Sequence, residues 1–204
     1  MKENNPVLPQ LYDLFYSGDI GTKLEVAGRL FRLYGEELAQ DPRVAAGMMD
    51  LCGRHQALRQ QMLVMEMDRT CTRCAQGSGG CCSMAIAAET DVVQLLTNML
   101  AGVVVDIQRS NGIGCCYLGE KGCIFLFKPM FCLNYNCSII TLGGQSDHLR
   151  KLEKQTGMLL RAQQDMENRI IHFFKEKVSA VDENNRIFDV PVRKNLFKVT
   201  SLIT

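Results

Sequence analysis

At 204 residues the chain is long enough for one sizeable domain without help from disulfides, and 47% of its residues are hydrophobic. Its 23 basic and 22 acidic residues sum to a net charge of +1 and form no block of like sign, which excludes the electrostatic footprint of a nucleic-acid binder. No stretch approaches the eighteen or so apolar residues of a membrane span, and the opening MKENNPVLPQLYDLFYSG lacks a continuous apolar run, so the expected setting is soluble and cytoplasmic, with neither membrane nor nucleic acid as partner.

From Ile20 onward, Ile20, Leu24, Ala27, Phe31, Tyr34 and Leu38 recur at spacings of four and three, which predicts an amphipathic helix with these residues as its buried stripe. Asp41 then reads as an N-cap, with Pro42 at the first helical position, where its missing N–H costs nothing. A second stripe follows through Val44, Met48, Leu51, His55, Leu58, Met62 and Met65, and the two segments are expected to form an antiparallel helical hairpin within residues 1–70. Glycine breaks the pattern over residues 71–82, after which Thr90 or Asp91 caps a shorter helix that ends near Gly102. VVVDIQ, residues 103–108, fits either a strand or an extension of that helix. CCYLGEKGCIFLF, residues 115–127, reads as a hairpin with cysteines on both strands, ended by Lys128-Pro129.

The longest helical pattern runs from about Asp147 to about Val178, with Leu149, Leu152, Leu159, Met166, Ile170 and Phe173 on one face. The tail, residues 181–204, has no helical period and contains Pro191; an edge strand, a docked tail and an extension that binds a protein partner all fit it. The expected fold is mainly α, a single compact domain. In it the 1–70 hairpin and the long helix of 138–180 bury their stripes against one another, and a cysteine-rich metal-binding loop and hairpin region, 71–137, sits at one end of the bundle.

Nine of the ten cysteines fall within that third of the chain. A buried structural cysteine needs no neighbouring thiol, and in a reducing cytosol clustered thiols bind metal or carry redox chemistry more often than they pair. Cys71 and Cys74 have the C-x-x-C spacing that lets two thiolates of one turn reach an ion about 2.3 Å from each sulfur. The side chains of the adjacent pair Cys81-Cys82 diverge, so they suit two centres or two corners of one polynuclear cluster rather than one ion. With Cys116, Cys123, Cys132 and Cys137 the set reaches eight thiols, enough for two closed tetrahedral sites. Arg69, Arg73, Lys121 and Lys128 lie close in sequence and would offset the thiolate charge.

C-x-x-C followed by C-C, then Cys116-x-Leu118, Gly122-Cys123-x-Phe125, Pro129-x-x-Cys132 and Cys137, resembles the CxxCxxCC cysteine-cluster (YkgJ-like) family of zinc- or iron-chelating proteins. The resemblance covers residues 71–137; six residues separate Cys74 from Cys81 where the family usually has two, and Lys128-Pro129 stands where it has Arg-Pro. It implies metal binding by the eight cysteines, with zinc or iron as the metal.

Three functions follow as expectations. The first is a metal-binding protein that holds zinc in a structural, storage or delivery role. The second is an iron–sulfur protein for electron transfer or redox sensing, because thiolates also hold such clusters. The third is a part in protein methyl transfer, for which the resemblance gives a precedent because some larger relatives of that family are flagellin lysine methylases, although no glycine-rich nucleotide loop is present. No catalytic constellation can be assembled from three scattered histidines. Cys52 is expected as a small core residue rather than a ligand, His55 as a hydrogen-bonded core imidazole, and His148 and His172 as solvated positions. Cys115 is open to being buried, a ninth ligand or a spare thiol. The two loops of 71–137 are expected to depend on metal for their fold, being poor in large apolar residues.

Overall fold

The structure, a computed structural model, describes residues 7–67, 69–70, 82–109, 114–120, 122–134 and 137–180. Among them the chain is mainly helical, as its periodicity predicts. Asp19 opens the second helix with Oδ1 accepting from Thr22 N at 2.7 Å, after a turn at Gly18 whose φ of +98° suits glycine. Helix α1 spans Val7–Tyr16, α2 Ile20–Gln40 and α3 Pro42–Val64. A single residue joins α2 to α3. The Asp41 N–H closes the end of α2 on Glu37 O, and its carboxylate accepts from Arg43 N and Val44 N to open α3.

Two short helices follow, α4 (Met84–Ala88) and α5 (Val92–Leu100), capped by Ser83 and Asp91 respectively. Residues 103–109 take neither of the forms foreseen for them and run without regular structure. The hairpin is present but short: β1 (Leu118–Gly119) pairs antiparallel with β2 (Gly122–Cys123), Leu118 opposite Cys123. Of the cysteines expected on its strands, Cys115 and Cys116 lie before β1 and only Cys123 is in a strand. Two further helices, α6 (Met130–Asn134) and α7 (Ser138–Gly143), had no legible period, and α8 (Ser146–Ala180) is the long helix.

The main interface runs between α3 and α8, and α2 lies chiefly against α5. Leu152, Leu159, Met166, Ile170 and Phe173 of α8 are buried as foreseen. The stripe of α2 is rotated from its expected line. Lys23, Val26, Ala27, Leu30 and Leu38 are buried, whereas Phe31 is 38% exposed and lies over Gly35, where a Cβ would meet its ring at 3.1 Å. Lys23 can sit inside because its ammonium donates to Ala88 O at 2.8 Å while its stem packs as an aliphatic chain.

Three expectations about single residues change. Cys52 is exposed on the outer side of α3, because burial on that helix follows Val44, Gly47, Leu51 and Leu58, and position 52 falls outside that stripe. His55 is half-buried against Phe127, edge to face with centroids 5.9 Å apart. His148 is drawn into a polar contact, with Gln61 Nε2 3.2 Å from its Nδ1 and donating to its backbone O at 3.1 Å. His172 stays at the surface beside Glu176. The tail, residues 181–204, lies outside the described residues. No helix among the described residues is long and apolar enough to cross a membrane.

Candidate metal centre

The described cysteines lie on several segments, and a backbone hydrogen bond joins two of these segments directly. Cys115 N donates to Cys82 O at 2.9 Å, which ties the residue before α4 to the segment before β1. Gly114, next to this contact, has a φ of +80°, a left-handed conformation that favours glycine. A turn closed by Leu118 N to Cys115 O then feeds β1, and the β1–β2 register returns the chain to Cys123. Beyond β2, Cys132 N donates to Pro129 O at 3.0 Å and starts α6. Cys137 occupies the N-cap position of α7 with no side-chain capping bond, so its thiol is not engaged as a cap.

The segment between Cys123 and Cys132 is fastened by two amides of α5. Asn98 is fully buried; its Nδ2 donates to Phe127 O at 2.9 Å and its Oδ1 accepts from Phe127 N at 3.0 Å, matching both backbone groups of one residue. Gln94 Nε2 adds a second donor to Phe127 O at 2.6 Å. Neither residue stood out in the sequence. The available signal was the pair of polar residues four apart in the apolar run VVQLLTNML, one face of one helix.

Large apolar side chains also anchor this region. Tyr117, Phe125 and Phe127 are buried, and the rings of Tyr117 and Phe125 stand 4.6 Å apart. The expectation that the loops are poor in core residues therefore fails for residues 115–133.

Burial is the first cause of every resolved shift among these thiols. The Cys132 thiol is pushed up to about 12, by burial first and then by Cys123, Cys82 and Cys115, although the residue itself reaches the surface. Burial also raises Cys115, to about 11, with Cys123 and Cys116 adding to it. Cys123 is raised by burial, against the pull of the Phe125 N–H and of Lys128. Cys116 is 2% exposed and is raised by burial alone, with its own backbone N–H opposing. Of the expected counter-charges, Lys128 bears on Cys123 and Cys132, and Arg109, unremarked in the sequence, bears on Cys115.

Cys132 thus feels Cys123, Cys82 and Cys115, Cys115 feels Cys123 and Cys116, and Cys137 is half-buried against the core. Cys71, Cys74 and Cys81, with Arg73 and Lys121, lie outside the described residues. Among the described residues, no group of three or more His, Cys, Asp or Glu side chains is gathered closely enough to hold a metal ion. Comparison of the chain with protein-family models, with curated proteins and with solved structures finds no match.

Proposed function

We propose that the protein binds metal through clustered cysteine thiolates, with zinc the ion that this donor set suits first, in a structural, storage or delivery role. What supports the reading is the crowding of nine of the ten cysteines into residues 71–137 and the electrostatic influence of Cys82, Cys115 and Cys123 on Cys132. Cys71, Cys74, Cys81 and Cys137 complete the set by their spacing. Of the adjacent pair, Cys115 is favoured over Cys116, because neighbouring side chains diverge and Cys115 is the one beside Cys123 and Cys132. A bound ion would neutralise the thiolates and tie the segments together.

An all-sulfur donor set also suits an iron–sulfur cluster, the second reading. Purification without oxygen, followed by metal analysis and an absorption spectrum, separates the two. A colourless protein with stoichiometric zinc supports the first; a brown one with acid-labile sulfide supports the second. Protein that neither retains metal nor takes up added zinc overturns both.

A further inference from the structure

Exposed aromatic and apolar side chains form one track along α8. Tyr12 and Tyr16 of α1 stack with ring centroids 6.1 Å apart, and both are exposed. Lys175 Nζ donates to the Tyr12 hydroxyl at 3.2 Å, and the Tyr16 hydroxyl donates to Glu167, so the two rings follow α8 back from its last turns towards its middle. Glu167 in turn lines a groove of about 400 Å³ between the α4–α5 turn, the start of α6 and α8. Met130 and Phe131 stand exposed on that groove, and Leu160 adds apolar wall. Apolar groups gathered on a surface in this way mark an interaction site.

The chain itself supplies a segment that fits. Helix α8 closes at Ala180, and Glu167 lies about 20 Å back along its axis. Residues 181–186 span about 20 Å when extended, so a tail that turns back on α8 arrives at Glu167 with Ile187. From there it carries Ile187, Phe188, Val190, Val192, Leu196 and Phe197, an apolar set that gains by leaving water. The charges match as well. Residues 187–204 hold Arg193, Lys194 and Lys198 against Asp189, whereas the groove holds Glu89, Asp91 and Glu167 against Arg161.

We propose that the tail turns back along α8, past Tyr12 and Tyr16, and lays residues 187–204 in the groove, its apolar side chains against Met130 and Phe131 and its lysines toward Glu89 and Glu167. No cysteine lines the groove, so this docking stands apart from the metal reading.

Carbodiimide coupling of the full chain, followed by peptide mass analysis, tests this by joining lysine amines to carboxylates in contact with them. Lys194 or Lys198 should couple to Glu89, Asp91 or Glu167 within one chain. Absence of any such link overturns the proposal, and so do links that form only between isotope-labelled and unlabelled copies, which would make a second copy the occupant. Trypsin reads the same contact through its rates at Arg193, Lys194 and Lys198. Phe131→Lys removes apolar area at an exposed position and adds a charge of the tail's own sign; Phe188→Ser with Phe197→Ser removes the two rings of the tail. Each variant should raise cleavage at those sites about tenfold or more while the helical circular dichroism stays unchanged, because cleavage follows the population of the undocked tail. The tail variant serves should Phe131→Lys fail to fold. An unchanged cleavage rate in either folded variant overturns the docking.

Discussion

Replacement of Asn98 tests most directly how the thiol-bearing segment is held. Asn98→Leu keeps the branched shape and heavy-atom count of the side chain, though its methyl groups are bulkier, and removes three hydrogen bonds: those to Phe127 O and Gln94 O, both at 2.9 Å, and that from Phe127 N at 3.0 Å. Phe127 O retains its bond from Gln94 Nε2, and Gln94 O retains its place in the helix, so the group left stranded is the Phe127 N–H. Residue 98 is fully buried and Phe127 is 0% exposed, so water cannot replace the missing partner. A stranded buried donor together with the lost bonds costs about 2–4 kcal/mol. For a chain of this size that lowers the thermal midpoint by roughly 5–15 °C. Asn98→Ala should cost about 1 kcal/mol more, because it also leaves a cavity. The assay is paired: thermal unfolding followed by circular dichroism, and the metal content of each purified variant. Both variants should retain less metal than the parent, because Cys123 and Cys132 flank the released segment. An Asn98→Leu protein that unfolds with the parent, and whose Phe127 amide exchanges no faster, would refute the reasoning.

Cys115→Ser should lower the metal content of the purified protein, whereas Cys116→Ser should keep the metal and lose about 1–3 kcal/mol of stability for burying a hydroxyl at a site 2% exposed; the reverse pattern restores Cys116 as the ligand. Cys52→Ala, at an exposed position, should change stability by less than about 0.5 kcal/mol and leave the metal content alone, and loss of a full equivalent of metal would make Cys52 a ligand. Hydrogen bonds from the Arg43 side chain, with the backbone N–H groups of Arg43 and Val44, hold Asp41 at about 2, below its ordinary 3.8. A depressed carboxyl stabilises the fold fully above its ordinary value and loses that contribution as pH falls towards about 2, so urea unfolding should show a smaller loss between those values in Asp41→Asn than in the parent. Chelation should leave the amides of Ile124 and Phe127 protected, since both donate within the protein, to Tyr117 O and Asn98 Oδ1; rapid exchange there would show that the metal holds this segment after all.

The long helices were legible because each buries a stripe wide enough to show as a 3.6-residue period: α2, α3 and α8 all appear in the sequence within a few residues of their observed ends. Asp41-Pro42 marked the α2–α3 joint because cap chemistry is local. The short helices α4, α6 and α7, of five or six residues, complete too few turns to show any period. The offset of the α2 stripe was hidden for a different reason. Lys23 counts as polar in any pattern, yet its stem packs inside and its ammonium finds Ala88 O, 65 residues away. Cys52, next to core residue Leu51 and far in sequence from the other cysteines, nonetheless faces outward, because the phase of the α3 stripe, readable from Val44, Leu51 and Leu58, puts position 52 outside it. At the candidate site, spacing singled out Cys123 and Cys132, but the choice between Cys115 and Cys116 depends on the turn before β1 and on the pairing with Cys82, contacts that no local pattern encodes.

The polar lock on this segment has a physical logic that the apolar packing lacks. Tyr117, Phe125 and Phe127 supply the buried area that keeps residues 115–133 on the bundle, but such packing is non-directional and tolerates small shifts along the surface. Thiolates that are to share an ion tolerate much less, because metal–sulfur distances are set within a few tenths of an ångström. The amides of α5 provide the missing direction. Asn98 matches both backbone groups of Phe127, so a one-residue slip would break two buried hydrogen bonds together. Gln94 carries the same constraint to α8: its Nε2 donates both to Phe127 O and to Gln163 Oε1, so the loop, α5 and the long helix meet at one nitrogen. Because that nitrogen also fixes the orientation of Gln163, the segment between Cys123 and Cys132 and the middle of α8 are registered against the same group. Loss of Gln94 should therefore loosen both this segment and its tie to α8, where loss of Asn98 should act on the segment alone.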